Sequence, residues 1–300
     1  MKLLTIAIPT YNRASILQDS LKKIIAQISG KEDLIELLVS DNCSTDNTQK
    51  IVTDLIQQGY AIRYNRNIEN LGMDGNFAYC FNHSKGKYIW MLGDDDHLLD
   101  GALDSIVSIL KNDEYGLIHL NNTTQLANKN PIYHSKVKFL NTININVTFI
   151  SANIVNRKAV QKVNFENYRG SLFSQVPVYL HAATGFEKNM IINQQLLQTA
   201  VDSVTNGGYN IFEVFVLNYL KILKEFRGVL GFQWYEIQKY KLCRNFIWPW
   251  MSRLLLTPNH GLRFITKDWF KIIMSKFWYE IYIYPMFVFF SIKKIKNSIK

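Results

Sequence analysis

An α/β fold with a mostly parallel, doubly wound sheet is what the first two thirds of this 300-residue sequence predict. Two observations carry the expectation. Short apolar runs alternate with helix-period stretches from residue 3 to residue 120, with short connections between them. Two of those runs pass straight into acids, Asp41 and the triplet Asp94-Asp95-Asp96. In a parallel sheet the carboxyl ends of the strands share one edge, and open α/β sheets bind their ligands there. A helical, aromatic and basic C-terminal region is expected to follow.

The first apolar run, 3–8, is closed by Pro9 and reads as a strand. It is too short for a signal peptide, and Pro9, Asn12 and Arg13 break it without a small-residue cleavage site. Leu17, Leu21, Ile24, Ile25 and Ile28 recur at helical spacing, so a helix covers 14–29 and Gly30 ends it. A second strand, 34–40, runs into Asp41, and SDNCSTDNT supplies turn and N-cap residues. Ile51, Val52, Leu55 and Ile56 mark a second helix, stopped by Gly59. A short strand at 61–64 and the turn Asn70-Leu71-Gly72 lead to a helix at 74–84.

Within KYIWMLGDDD, 87–96, the residues Ile89, Trp90, Met91 and Leu92 form an unbroken apolar strand. Leu103, Ile106, Val107 and Leu110 give another helix, and 116–120 another strand. From 121 to 146 the chain is polar and Asn-rich, and reads as irregular structure or an extra hairpin over the site. Strand character returns at 149–155, a short helix follows Asn156-Arg157-Lys158, and 172–183 reads as helix. After Gly207-Gly208 the composition changes. Phe212, Phe215, Val216, Tyr219, Leu220, Leu223 and Phe226 form a wide apolar stripe on one helix. The boundary is expected near 206, giving domains 1–205 and 206–300.

A hydrophobic content of 48% is ample for a core and argues against disorder. Cys43, Cys80 and Cys243 show no metal-ligand spacing and no disulfide framework, which suits a reducing cytosol. The net charge of +10 is concentrated at one end. From Lys241 onward, eleven Lys and Arg face only Asp268 and Glu280. A basic end points to nucleic acid or to an anionic membrane surface.

The acid triplet needs a positive partner, because three adjacent carboxylates repel one another. A hard divalent cation is the simplest, since it prefers oxygen ligands. The plainer reading is an acidic turn that caps the next helix. The first strand brings Pro9, Thr10, Tyr11, Asn12 and Arg13 to the same edge. A nucleoside diphosphate has matching parts: a base to stack on Tyr11, a base N–H or ribose hydroxyl for Asp41, and a diphosphate for a metal or Arg. Tyr11 as a turn aromatic and Asp41 as a cap are the plainer alternatives.

IPTYNR, VSDNCSTDNT, ENLGMDGNF and KYIWMLGDDD resemble, in order and spacing, the motifs of family-2 glycosyltransferases. The likeness covers about 3 to 205 and is closest to the abequosyltransferase-like bacterial subgroup of O-antigen and capsule assembly. It implies the GT-A fold, a nucleotide-sugar donor and a lipid-linked glycan acceptor. It also implies that Thr10 and Tyr11 line the base pocket, Asp41 holds the base, and Arg13 lies near the diphosphate. Asp94 would contact ribose or the metal shell, Asp96 would ligate Mg²⁺ or Mn²⁺, and Asp95 would orient the turn. Inverting members carry an acidic pair as general base at the later helix. Here Ser174 and Gln175 stand in SLFSQVPVYLHAATG, and neither is a usable base. Glu166, His181 and Glu187 are the nearby alternatives, although a lone His on an apolar helix is more often a packed one.

In the last sixty residues, Trp248, Trp250, Trp269, Trp278, Tyr279, Tyr282 and Tyr284 are interspersed with Lys and Arg. An apolar run of twelve, 281–292, precedes KKIKNSIK. Twelve residues are too few to span a bilayer of about 30 Å. The composition suits a helix lying in the interface of an anionic membrane, which places the protein in the cytoplasm, peripheral on the inner face of the cell membrane. A helical subdomain or a dimer interface is the alternative. A nucleotidyltransferase of related fold would need a Gly- and Lys/Arg-rich loop after the first strand, and PTYNRAS has no glycine. A nucleic-acid-binding protein is disfavoured because the basic end is apolar and Trp-rich and carries no nucleic-acid motif.

Overall fold

The strand expected to stop at Pro9 continues to Thr10. As β1, Leu4–Thr10, it lies inside an eight-stranded sheet, hydrogen-bonded on both sides. The computed structural model describes residues 1–122, 130–198, 207–256 and 263–277. The chain divides into two compact units, Met1–Ala200 and Val201–Lys300.

The first unit alternates strand and helix: α1 (Ala14–Ile28), β2 (Ile35–Asp41), α2 (Thr48–Gln57), β3 (Ile62–Arg66), α3 (Gly72–His83) and β4 (Tyr88–Met91). It continues with β5 (His97–Leu98), α4 (Ala102–Asn112), β6 (Leu117–Leu120), β7 (Ile132–Tyr133), α5 (Lys136–Ile143) and β8 (Asn153–Asn156). It closes with α6 (Gln175–Gly185), β9 (Asn189–Ile192) and β10 (Leu197–Gln198). The large sheet has the order β3-β2-β1-β4-β8-β6-β9-β7. β3, β2, β1 and β4 are parallel, as are β6 and β9, whereas β8 and β7 run against their neighbours.

β1, β2 and β4 are buried along their whole length, which is why they read as continuous apolar runs rather than alternating ones. Leu17, Leu21, Ile24 and Ile28 of α1 pack into the same core. Pro9 is tolerated in a central strand because β4 pairs with β1 only as far as Ala7. No ladder partner faces the N–H that Pro9 lacks.

Three expectations need correction. The polar stretch 121–146 contains β7, an edge strand, and α5, which buries Phe139, Leu140 and Ile143; residues 123–129 lie outside the described set. β7 is at the far end of the sheet from β3, so it forms no hairpin over the carboxyl edge of β1, β2 and β4. In 149–155 only the last residues are strand; 150–152 form a 3₁₀ turn, because Asn153 ties its side chain back to the carbonyls of Val147 and Phe149. β5 and β10 add a short antiparallel ladder just after the acid triplet.

The second unit is mostly helical, as its apolar stripe suggests. It contains α7 (Tyr219–Glu225), α8 (Arg227–Leu230), α9 (Phe232–Leu242), α10 (Trp248–Leu256) and α11 (Trp269–Phe277), with π-helical runs at Glu213–Asn218 and Cys243–Ile247. It also holds an unexpected two-stranded parallel ladder, β11 (Gly207–Asn210) with β12 (Arg263–Ile265). Among the described residues no helix is long and apolar enough to cross a membrane. The apolar run 281–292 and the basic end lie outside the described residues.

Candidate active site

Thr10, at the end of β1, is in register with Asp41 at the end of β2. On its other side the chain leaves β4 and turns. Leu92 still donates to the Ala7 carbonyl, Gly93 N–H donates to Ser151 Oγ at 2.8 Å, and Asp96 N–H donates back to the Gly93 carbonyl. A side chain at Gly93 would be crowded by three neighbouring side chains. A Cβ there would stand 3.0 Å from Asp95 Oδ1, 3.0 Å from Asp96 Oδ2 and 3.4 Å from Ser151 Oγ.

The three acids have different surroundings. Asp94 and Asp96 are buried, and Asp95 is partly exposed. Arg13 bridges the first two, with Nη1 on Asp94 Oδ1 and Nη2 on Asp95 Oδ2 at 2.9 Å. Thr10 Oγ1 donates to Asp94 Oδ2 at 2.7 Å. The guanidinium of Arg13 is thus a positive partner for two of the three acids, Asp94 and Asp95. Burial pushes the Asp94 carboxyl above the ordinary carboxylate range, and Arg13 and the Thr10 hydroxyl pull it only part of the way back.

Asp41 is fully buried. Its Oδ1 accepts from Ser44 N–H at 2.8 Å and its Oδ2 from the Tyr64 hydroxyl at 2.6 Å, with Arg66 Nε 3.8 Å away. Burial, and then the bond to Asp41, push the Tyr64 phenol far above its ordinary value, so it stays protonated. The loops after β1 and β2 are tied together: Asn12 N–H donates to Ser44 Oγ, Asn12 Oδ1 accepts from Thr45 N–H, and Asp46 accepts from Ala14 N–H. Asn12 and Cys43 both take left-handed backbone, at φ +52° and +65°, a region that non-glycine residues seldom enter. Tyr11, between these contacts, is 43% exposed and offers its ring to solvent.

The NLGMDGNF stretch is scaffolding for this edge. Asn76 donates to the Ser40 carbonyl at 3.0 Å, and Asn42 binds Asn70, Asn67 and the Leu71 N–H. Asp74 accepts the N–H groups of Leu172 and Ser174, which sets the start of α6. Gln175 there is buried. Its Nε2 donates to the Thr148 carbonyl at 3.0 Å, while its Oε1 has no hydrogen-bond partner among the described residues.

Glu166 and His181 are not brought to this edge. Glu166 is exposed, pairs with Arg169, and sits in a turn whose Phe165 stacks on Phe81, near the end of α3 remote from Asp74. His181 lies six residues into α6, about 9 Å along its axis from Gln175. Its neighbour Ala182 packs against Gly116, which precedes β6 at the opposite edge of the sheet. Glu187 is exposed beside His134. Sequence reasoning missed Ser151, Tyr64 and Asp74. Only Asp74 stood in a motif; nothing local marks the other two.

Among the described residues, no three His, Cys, Asp or Glu side chains converge into a metal-binding group. The donors still fit a cation that brings further oxygen ligands with it. Asp95 and Asp96 both turn a carboxylate oxygen towards the bare Cα of Gly93. Mg²⁺ in particular is usually held by one or two carboxylates together with substrate phosphates.

Residues 5–193 match the model of Glycosyl transferase family 2. The chain belongs to this family. Over 103 residues this family-2 chain is 40% identical to abequosyltransferase RfbV of Salmonella typhimurium, covering 34% of the chain and 30% of the relative. Over 109 residues it is 35% identical to the GalNAc(5)-diNAcBac-PP-undecaprenol beta-1,3-glucosyltransferase of Campylobacter jejuni, covering 36% and 34%. The match thus spans about a third of each relative's length. Among solved structures, S. aureus TarS 1-349 in complex with UDP-GlcNAc superposes with a TM-score of 0.67 at 12% identity, covering 92% of this chain and 80% of the other. The mannosyltransferase PcManGT of Pyrobaculum calidifontis, in complex with GDP-Man and Mn²⁺, gives 0.54 at 13%, covering 98% and 86%. At these identities the likeness shows the fold, and it is the GT-A arrangement that the motifs imply.

Proposed function

We propose that this family-2 chain moves a sugar from a nucleoside-diphosphate donor to a lipid-linked glycan during bacterial surface polysaccharide assembly, with Mg²⁺ or Mn²⁺. One observation carries the reading. Buried Asp41, exposed Tyr11 and the Arg13–Asp94–Asp95 clamp lie on adjoining strand ends of one edge. The acceptor class is supported by the undecaprenol-linked name of one relative and the abequosyltransferase name of another. The donor class is supported by the sugar nucleotides bound to the fold neighbours.

In this reading Pro9, Thr10 and Tyr11 form the wall of the base pocket, with the Tyr11 ring as stacking surface. Asp41 accepts a base N–H, and Tyr64 and Ser44 hold its carboxylate in place. Arg13 and Asp95 serve the diphosphate side. Asp96, with Asp94, would hold the cation. When bound, that cation supplies charge stabilisation for the departing nucleoside diphosphate. Gln175 takes no proton, because an amide does not titrate in this range. Glu166 and His181 are dropped as bases, since neither is at this edge. The Trp-rich, basic C-terminal region would hold the protein on the anionic inner face of the cell membrane, close to its acceptor.

A panel of UDP-, GDP-, CDP- and TDP-sugars with Mn²⁺, read as thermal stabilisation and slow donor hydrolysis, tests the reading. A ligand at a hundred times its Kd adds about 2.7 kcal/mol. If no sugar nucleotide stabilises the protein or is hydrolysed, the reading fails.

A further inference from the structure

We infer that Phe149 is the surface on which a sugar ring of the acceptor stacks, and that Gln175 is a positioning residue for it. The inference rests on the glycosyl-transfer reading above and deepens it on the acceptor side.

The sheet brings Phe149 to the edge that carries the acid triplet. β8 lies next to β4 on the side away from β1, and it runs against β4, with Ile154 opposite Trp90. The amino end of β8 therefore lies where β4 delivers the triplet. Ser151, two residues before β8, touches that turn through the N–H of Gly93. Phe149 is two residues further back, so its Cα is within about 7 Å of that of Ser151. Along this edge Tyr11 follows β1 and Phe149 precedes β8. Two exposed aromatic residues, 43% and 40% accessible, thus flank the triplet on opposite sides. Tyr11 stands on the side of Asp41 and the base. Phe149 stands on the far side, where the acceptor must approach.

One exposed apolar residue is ordinary on any surface. What sets Phe149 apart is how firmly its backbone is held. Its N–H donates to the Asn146 carbonyl at 3.1 Å, and its own carbonyl accepts from Asn153 Nδ2 at 2.7 Å and from Ala152 N–H at 3.3 Å. Asn153 is buried, and the same nitrogen reaches the Val147 carbonyl at 3.2 Å. Gln175, buried at the start of α6, donates Nε2 to the Thr148 carbonyl at 3.0 Å. Two buried amides therefore fix the carbonyls of 147–149, while Phe149 itself stays exposed. A loop that only connects α5 to β8 needs no such support. A binding surface gains from it, because order established beforehand is not a cost of binding.

The chemistry suits a sugar. One face of a pyranose is largely C–H, and an aromatic ring offers its negative face to those hydrogens. Phe149 has no polar side-chain atom, so it sets the plane of the sugar and leaves the reacting hydroxyl free. Gln175 gains a task as well. It cannot take a proton, but it can donate to Thr148, and a carboxylate in its place would repel that carbonyl.

Saturation-transfer NMR tests this on the full-length protein with Mg²⁺ and whichever of UDP, GDP, CDP or TDP stabilises it. The probes are the methyl glycosides of glucose, galactose, mannose and N-acetylgalactosamine. In the wild type at least one should receive saturation on its ring C–H protons. Phe149→Leu should weaken that glycoside by about tenfold, and Phe149→Trp should restore it. Gln175→Met, similar in length but without a donor, should weaken it by a smaller factor; Gln175→Glu serves if that variant does not fold. The loss should fall on the glycoside far more than on the KM of the sugar nucleotide in slow donor hydrolysis. Equal losses for both would assign the ring to the donor sugar and overturn the inference. So would a Phe149→Leu protein, folded by circular dichroism, that binds the glycoside as the wild type does, or a nucleotide-loaded wild type that engages none of the four. Wild-type glycoside affinity in a folded Gln175 variant would overturn the positioning role. A protein that no nucleotide stabilises would instead remove the functional reading underneath.

Discussion

Asp74 Oδ1 accepts the backbone N–H of Ser174 at 3.1 Å, one hundred residues further along the chain. Its other oxygen accepts Leu172 N–H at 2.9 Å. Leu172 has left-handed backbone, at φ +60°, where a leucine is strained. The carboxylate therefore holds open a turn that the chain would not choose, and that turn fixes where α6 begins. Asp74→Ala should cost about 2–4 kcal/mol, because two N–H groups lose a charged acceptor and one is buried. A fall in the urea midpoint at unchanged m value is the expected result; an unaltered midpoint would show that the turn holds itself.

Asp96→Asn keeps the shape of its side chain and loses the charge, so donor turnover should collapse while the fold survives. Asp95→Asn should do less harm. Gly93→Ala should also lose turnover, since its methyl group would press on both carboxylates and on Ser151. Activity and melting temperature measured side by side decide the matter. Full activity in Asp96→Asn, together with indifference to chelator, would refute the metal assignment.

Tyr64→Phe removes only the hydroxyl that fixes Asp41 Oδ2. Nucleoside diphosphate binding should weaken by about 1 kcal/mol, and Asp41→Ala or Tyr11→Ala by about 1–3 kcal/mol each. Calorimetry gives the constants directly. Affinity unchanged in all three would mean that the base lies elsewhere.

At the other end of these strands, Glu36 accepts from Thr5 Oγ1, Lys85 N–H and Arg63 Nε at 2.6, 2.9 and 2.9 Å. Burial alone would raise its pKa, but these donors together hold it below the ordinary value. A carboxylate with a depressed folded-state pKa stabilises fully above its unfolded value, about 4.3, and that stabilisation drains away as the pH falls through the folded one. Glu36→Gln should therefore be less stable than wild type at neutral pH, and the gap should narrow as the pH falls below about 4.3. Parallel denaturation curves at every pH would contradict this.

A chain ending at Phe277 keeps α11, whose Ile273 and Phe277 are buried in the second unit. Such a chain should stay folded but bind anionic vesicles poorly. Sedimentation with phosphatidylglycerol vesicles at moderate salt measures it. Binding equal to that of the full chain would give the last residues another task.

The parallel half of the sheet was legible because each strand there is buried on both faces and each helix buries one stripe. Ile89 to Leu92 and Leu17 to Ile28 leave little choice. The strand ends carried Asp41 and the acid triplet visibly to one edge. Partners across long separations were not legible. Arg13 meets Asp94 81 residues away, and nothing in PTYNRAS separates a carboxylate partner from a phosphate one. Ser151 is an ordinary polar residue until the fold sets it against Gly93. Helix α5 was hidden because only Phe139, Leu140 and Ile143 face inward, among lysines and asparagines that favour loops.

The position of β8 between β4 and β6 has a consequence for assembly. In the order of synthesis, β6 is finished long before either of its neighbours exists; His119 waits 34 residues for Asn153, its partner across the ladder. In that interval β4 exposes an open edge of the same polarity as β6, and the nearest available pairing is the wrong one. What the wrong pairing lacks is Ser151, two residues before β8. Only when Ser151 arrives do Trp90 Nε1 and Gly93 N–H find their acceptors, at 2.8 Å each. A nascent sheet closed early would leave both donors buried and unanswered, at about 1–3 kcal/mol apiece. The serine that shapes the candidate site thus also disfavours a premature register.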